Sequence, residues 1–222
     1  MKILMITPYV TIDSVPEFTK CKSGFGYMAF DIARSVAKLE HVDLLASNSM
    51  GDAFVLDGVH FLKRSYLLSL WYFYIGLSVV DFIKLWNSYK VGGRPLIKLF
   101  YYWIITGYYK HVIKNGRYDI VHIHGCGMDN EFWMKICKKV GVKYIVTLHG
   151  LNSFSDTVHL EPAGKKYERD FLKRVTENEV PITVISTGMK KTIEKTYGVK
   201  NCTSITVVCN SFSFDGLDGA SL

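Results

Sequence analysis

Short, fully apolar runs alternate along this chain with stretches whose apolar residues recur every three or four positions. The first run is Lys2-Ile3-Leu4-Met5-Ile6-Thr7. Two more are Asp119-Ile120-Val121-His122-Ile123-His124-Gly125 and Tyr144-Ile145-Val146-Thr147-Leu148-His149-Gly150. Such runs read as strands buried on both faces, as in a parallel sheet covered by helices. Residues 41–46, 181–186 and 203–208 read as further strands, and 53–62 as another with a turn at Asp57-Gly58. Helical stretches fall between them. One starts at Gly24 and runs to about Leu39, with Met28, Ile32, Val36 and Leu39 on one face. Others cover 128–140, 163–178 (Tyr167, Phe171, Leu172 and Val175 on one side) and 187–196, stopped near Gly198. Residues 8–23 and 151–162 read as loops. The pattern predicts an α/β fold: a Rossmann-like parallel sheet flanked by helices.

Two aromatic segments interrupt this alternation. Residues 65–80 carry no charge, and Leu99-Phe100-Tyr101-Tyr102-Trp103-Ile104-Ile105 follows. A membrane-spanning helix needs ~20 apolar residues. The first segment is shorter and rich in tyrosine, so it reads as core helix or as a contact at a membrane surface, where Trp and Tyr concentrate.

Composition sharpens the picture. Hydrophobic residues make up 49% of the 222 positions and charged residues 21%, which fits a packed core. The net charge of +7 is spread over pairs such as Lys138-Lys139 and Lys190-Lys191. These read as solvated helix faces. A nucleic-acid partner is not expected, since no dense basic patch or known module is present; anionic lipid or a phosphate-bearing ligand suits the charge. Cys21, Cys126, Cys137, Cys202 and Cys209 are odd in number and lack zinc-type spacing, which points to a reducing cytoplasm.

The chemistry is expected where strands end. In open parallel sheets ligands sit beyond the carboxyl ends of the strands. There His124-Gly125 and His149-Gly150 offer a titratable ring beside a glycine that lets a ligand approach the backbone. Gly24-Phe25-Gly26 opens a helix, whose N-terminus offers free N–H groups to a phosphate or a sugar hydroxyl, or simply starts the helix. It is not a dinucleotide fingerprint, because Ala29 stands at the third glycine. His122 and His124, two apart on a strand, share one face. They are a candidate metal pair if His149, Asp129, Glu131 or His159 adds a third ligand; otherwise one ring packs and the other borders the cleft. Ser186 ends a strand and opens a helix, as an N-cap or as a cleft residue. A nucleophile elbow and a Walker loop are both missing.

In this order the pieces resemble the N-terminal domain of a GT-B glycosyltransferase of the large retaining family 4. Glu40-His41-Val42-Asp43 looks like the family's Gly-His-x-Val, with Glu40 in place of the glycine. Asp119-Ile120-Val121-His122-Ile123-His124 matches Asp-Ile-Val-His-x-His, and Thr147-Leu148-His149-Gly150 matches Thr-x-His-Gly. Ile182-Thr183-Val184-Ile185-Ser186 resembles the Val-x-x-Ser strand. Tyr197-Gly198 through Ile205-Thr206-Val207-Val208-Cys209-Asn210 is similar to the segment leading to the second domain, with Ser211 where a glycine would stand.

The resemblance implies a Rossmann-like domain over 1–210 that binds the acceptor, while a second domain holds most of the nucleotide-sugar donor. It implies donor-phosphate contacts at Gly24 and Gly26, and His149 at the reacting centre. His124 and Ser186 are the candidates for the cleft wall. No metal cofactor is expected. The tail 211–222 stands where the interdomain linker would begin, so the donor domain is expected from a longer product or a second chain, and the chain alone should be poorly active. The implied role is sugar transfer, with retention, to a saccharide or lipid-linked acceptor in cell-surface polysaccharide biosynthesis. The implied place is the cytoplasm, or the periphery of the inner face of the cell membrane. The alternatives are a non-catalytic domain that binds an acceptor or partner, a metal hydrolase built on His122 and His124, and a nucleotide-binding regulator.

Overall fold

The computed structural model describes residues 1–19, 22–48, 51–63, 65–76, 79–80, 82–83, 86, 96–155, 162–199 and 204–209. Cys21, Cys202, His159 and the tail 211–222 lie outside the described residues. In chain order the elements are β1 (Lys2–Thr7), α1 (Gly24–Ala37), β2 (His41–Ala46), β3 (Phe54–Leu56), β4 (Val59–Phe61), α2 (Tyr66–Gly76), α3 (Leu96–Asn115), β5 (Ile120–His124), α4 (Met128–Val140), β6 (Lys143–Leu148), α5 (Pro162–Glu177), β7 (Ile182–Val184), α6 (Thr187–Tyr197) and β8 (Ile205–Val207).

The strands form one eight-stranded sheet in the order β3-β4-β2-β1-β5-β6-β7-β8. Every neighbouring pair is parallel except β3 with β4. Side chains alternate across a strand, so β1 feeds both faces. Leu4 and Ile6 join one core with Val121, Ile123, Val146 and residues of α3, α4 and α5. Ile3 and Met5 join the other with Ala29, Phe30 and Ala33 of α1. That is why these runs are apolar at every position. The strand order reverses between β1 and β5, because β2 and β4 lie to one side of β1 and β5 to β8 to the other. The carboxyl ends of β1 and β5 therefore diverge over a crevice.

Three expectations are corrected. The segment 53–62 is not one strand but an antiparallel hairpin, because Asp57 (φ +50°) and Gly58 (φ +79°) make the two-residue turn that such a hairpin requires. Helix α1 stops at Ala37 rather than at Leu39. Lys38 caps it, and Leu39 is 85% exposed instead of facing the core, as the chain turns to bring His41 into register with Lys2. The last strand is also shorter than the apolar run that suggested it. The aromatic segments do form helices. Tyr109 of α3 stacks on Trp133 of α4 with ring centres 3.7 Å apart, anchoring α3 to the core. No described helix is long and apolar enough to cross a membrane.

Candidate functional site

A cleft of about 460 Å³ opens over the carboxyl ends of β1, β5 and β6. Its walls are Pro8 and Tyr9 after β1, Phe25 in the first turn of α1, Gly125 to Gly127 after β5, Leu148 to Gly150 and Asn152 after β6, and Gly164, Tyr167 and Glu168 of α5. The strand-to-loop transitions that the sequence marks with glycine thus meet at one place. At Gly125 the backbone has φ +96°, which favours glycine, and its N–H donates to the carbonyl of Thr147 at 2.8 Å, tying the ends of β5 and β6 together. Asn130, buried in α4, donates to the carbonyl of His124 at 2.9 Å and fixes the same turn.

His149 lies in the cleft wall. Its ring centre is 4.8 Å from that of Phe25, edge to face, and Phe25 is 5.1 Å from Tyr9. Phe25 sits between Gly24 and Gly26, so this aromatic chain joins the His149 ring to the glycine turn. The turn itself is capped: the Ser23 hydroxyl accepts the Gly26 N–H at 3.1 Å, and the Ser23 carbonyl accepts that of Tyr27 at 3.2 Å. Of the N–H groups that the first turn of a helix leaves without an intrahelical partner, that of Gly26 is taken by the cap, and those of Gly24 and Phe25 have no partner among the described residues. Gly26 has a packing role as well. A Cβ there would lie 2.2 Å from Thr11 Oγ1 and 2.9 Å from the Thr11 amide, so only glycine lets the loop after β1 pack against the helix. At Gly24 a Cβ would meet nothing within 4 Å.

Behind His149 lies a stack of imidazoles. His124, fully buried, faces it with Nδ1 2.9 Å from His149 Nε2. His122, two residues back on the same face of β5, has its ring centre 4.1 Å from that of His124, and its Nε2 lies 2.6 Å from Thr147 Oγ1. Thr147 in turn bonds the hydroxyl of Thr183. Burial strips water from these rings and disfavours their charged forms. It pushes His149 down to about 4. Burial, and then repulsion from a charged His149, push His122 down to about 4. His124 lies well below the ordinary value, through burial and then the two neighbouring rings. At neutral pH all three are uncharged. His149 Nδ1 and His124 Nε2 are buried and have no hydrogen-bond partner among the described residues.

Among the described residues the stack offers no three-ligand metal site, and His159, one of the candidate third ligands, lies outside them. His122 Nε2 is engaged by Thr147, His124 Nδ1 by His149, and no third ligand completes the pair among the described residues. Ser186 is not among the cleft-lining residues. Its hydroxyl caps α6, accepting the Met189 N–H at 3.2 Å.

Sequence reading did not single out Tyr9 or Glu168. Glu168 is buried, and one of its carboxylate oxygens accepts both the N–H and the hydroxyl of Ser153 at 2.8 Å, which holds the loop after β6 against α5. The glycine pair around Phe25 was a usable local signal for that ring. Nothing local marks Glu168, which reaches the cleft only through the packing of α5.

Comparison with known proteins agrees with this architecture. No curated protein matches the chain. Sucrose-phosphate synthase from Thermosynechococcus elongatus is similar in structure with a TM-score of 0.53 at 11% identity, over 94% of this chain and 48% of that one. An α,α-trehalose-phosphate synthase (UDP-forming) from Burkholderia vietnamiensis gives a TM-score of 0.44 at 11% identity, over 88% of this chain and 42% of that one. The chain spans about half the length of the solved structures it matches, or somewhat less. The fold is that of the N-terminal Rossmann-like half of a GT-B glycosyltransferase. With the Glycosyltransferase Family 4 model matching residues 22–214, the chain belongs to that family.

Proposed function

We propose that this chain is the acceptor-side half of a sugar-transfer site, with His149 at the reacting centre. The observation that carries the reading is the convergence of three strand ends and the first turn of α1 on one cleft, with an unpartnered ring nitrogen of His149 in its wall. A buried polar atom without a partner calls for an explanation, and on a residue lining a cleft we take it to be a ligand oxygen, reached by a small rotation of the ring. In one proton arrangement His124 Nδ1–H donates to His149 Nε2, and His149 Nδ1–H is left to donate to a sugar hydroxyl or to a phosphate oxygen on which charge develops. His124 is then a positioning residue. The N–H groups of Gly24 and Phe25, with the positive end of the α1 dipole, suit the diphosphate of a nucleotide-sugar. Because His149 is neutral at pH 7, it works by hydrogen bonding rather than as a fixed charge. A second domain or second chain supplies the rest of the donor site. Transfer proceeds with retention and without a metal cofactor, onto a saccharide or lipid-linked acceptor of a cell-surface polysaccharide. The test is His149→Ala in the chain joined to its donor domain. Steady-state kinetics should show kcat lowered roughly a hundred- to a thousandfold, with the acceptor KM changed far less. Unchanged turnover would end the assignment.

The acceptor class has its own support. Leu67, Trp71, Ile97 and Phe100 on α2 and α3 expose large apolar surfaces, Leu67 and Ile97 by more than three quarters. Aromatic and aliphatic side chains on a basic protein suit the surface of an anionic membrane, at the cytoplasmic face, where a lipid-linked acceptor would lie. The chain should co-sediment with vesicles of anionic phospholipid, and Trp71→Ser with Leu67→Ser should release it. Equal binding by the double variant would remove the membrane from the proposal.

A further inference from the structure

The opposite end of the sheet carries a second histidine cluster, of different composition. His41 opens β2, Asp43 follows two residues later on the same face, and His60 of β4 pairs with Asp43 across the parallel ladder. One ligand atom from each of the three lies within 4.8 Å of the other two. His41 Nε2 is 2.9 Å from Asp43 Oδ1, and the His41 and His60 ring centres are 4.6 Å apart. Asp43 is buried, whereas both rings are exposed at the surface.

The carboxylate is held in one orientation. The Tyr118 hydroxyl donates to Asp43 Oδ2 at 2.8 Å, which leaves Oδ1 to the His41 ring, with the His60 ring close by. An outer hydrogen bond that fixes a carboxylate ligand is a recurring support of metal centres. Two imidazoles and one carboxylate are a ligand set for zinc and its first-row neighbours, with a fourth position open to water; magnesium and calcium prefer oxygen alone. A tetrahedral ion at ~2.0–2.2 Å from each ligand needs them about 3.4 Å apart. Exposed rings reach that by side-chain rotation, and the ion takes the place of the His41–Asp43 hydrogen bond. Opposing it, the Lys2 ammonium lies 3.4 Å from Asp43 Oδ2. It sits on Oδ2, the oxygen not bonded to His41, and is shared with the Gly116 carbonyl at 3.1 Å.

We infer that His41, Asp43 and His60 form a binding site for a divalent transition-metal ion of the zinc class. The ion would clamp the edge hairpin β3–β4 to β2, far from the strand ends that form the cleft. It takes no part in the proposed sugar transfer, so its test is independent of that reading.

Titration of the 222-residue chain with Co²⁺ provides the test. The expected result is one equivalent bound with a visible absorption band, displaced by Zn²⁺ and unaffected by Mg²⁺. His60→Ala and His41→Ala, both at exposed positions, should each abolish the band while the far-ultraviolet circular dichroism stays unchanged. Tyr118→Phe should weaken binding about tenfold or more, and Lys2→Met should strengthen it. No binding by the folded chain would overturn the inference. So would a band that survives His60→Ala, or a thiolate-to-cobalt charge-transfer band, since either puts the metal elsewhere.

Discussion

The two ends of the sheet hold similar side chains in opposite circumstances. At the carboxyl end, His149 in the cleft wall and His124 and His122 behind it stack with no carboxylate among the partners described for them, and burial holds all three neutral. At the amino end, His41 and His60 flank a buried Asp43 at the surface, and Tyr118 and Lys2 hold the carboxylate from the other side. The difference teaches that residue type alone does not set the chemistry of an imidazole. Desolvated rings that bond to one another can only exchange hydrogen bonds. Solvent-facing rings beside a fixed anion keep their lone pairs within reach of a cation.

The largest expected effect probes the carboxyl end. Histidines whose folded pKa lies below the unfolded value bind protons better once the chain unfolds, so acid favours unfolding. For His122 and His149 the unfolded value is 6.5 and the folded value about 4, so stability is full above pH 6.5 and declines as pH falls towards 4. Each ring contributes at most about 1.4 kcal/mol per pH unit across that window. Chemical denaturation at stepped pH should show the decline, and His122→Gln should reduce its slope. A flat profile would mean that the stack is hydrated.

The amino end should respond to a single substitution. Asp43→Ala removes the acceptor of a buried tyrosine hydroxyl and the counter-charge of Lys2, and should cost about 3 kcal/mol in a denaturant titration. A loss under 1 kcal/mol would show the carboxylate to be replaceable by water. The smallest effect is that of a helix cap at the end of β7. Ser186→Ala removes the N-cap of α6 and should cost about 1 kcal/mol, with turnover in the proposed sugar-transfer assay, of the chain joined to a donor domain, unchanged. A fall in turnover would return Ser186 to the cleft wall.

Much of this was legible in the chain. The strands at 2–7, 41–46 and 119–124 and the helix at 128–140 follow from continuous or periodic apolar positions, because a parallel sheet must bury both faces and a helix one. The alternation of His122 with His124 was enough to put both rings on one side. What stayed hidden was non-local. Leu39 fits the apolar stripe of α1, yet the helix ends before it, because the register of β2 on β1 takes the chain away. Glu168 reads as one more charge on an amphipathic helix until α5 docks it on Ser153.

By itself the sequence determined the order of strands and helices and the strand ends that carry His-Gly, since periodicity and glycine are local properties of the chain. Only the tertiary structure decided that His149 meets Phe25 and His124, and that His60 lands opposite Asp43. Those contacts depend on strand register and on burial, which arise when distant segments pack together and exclude water.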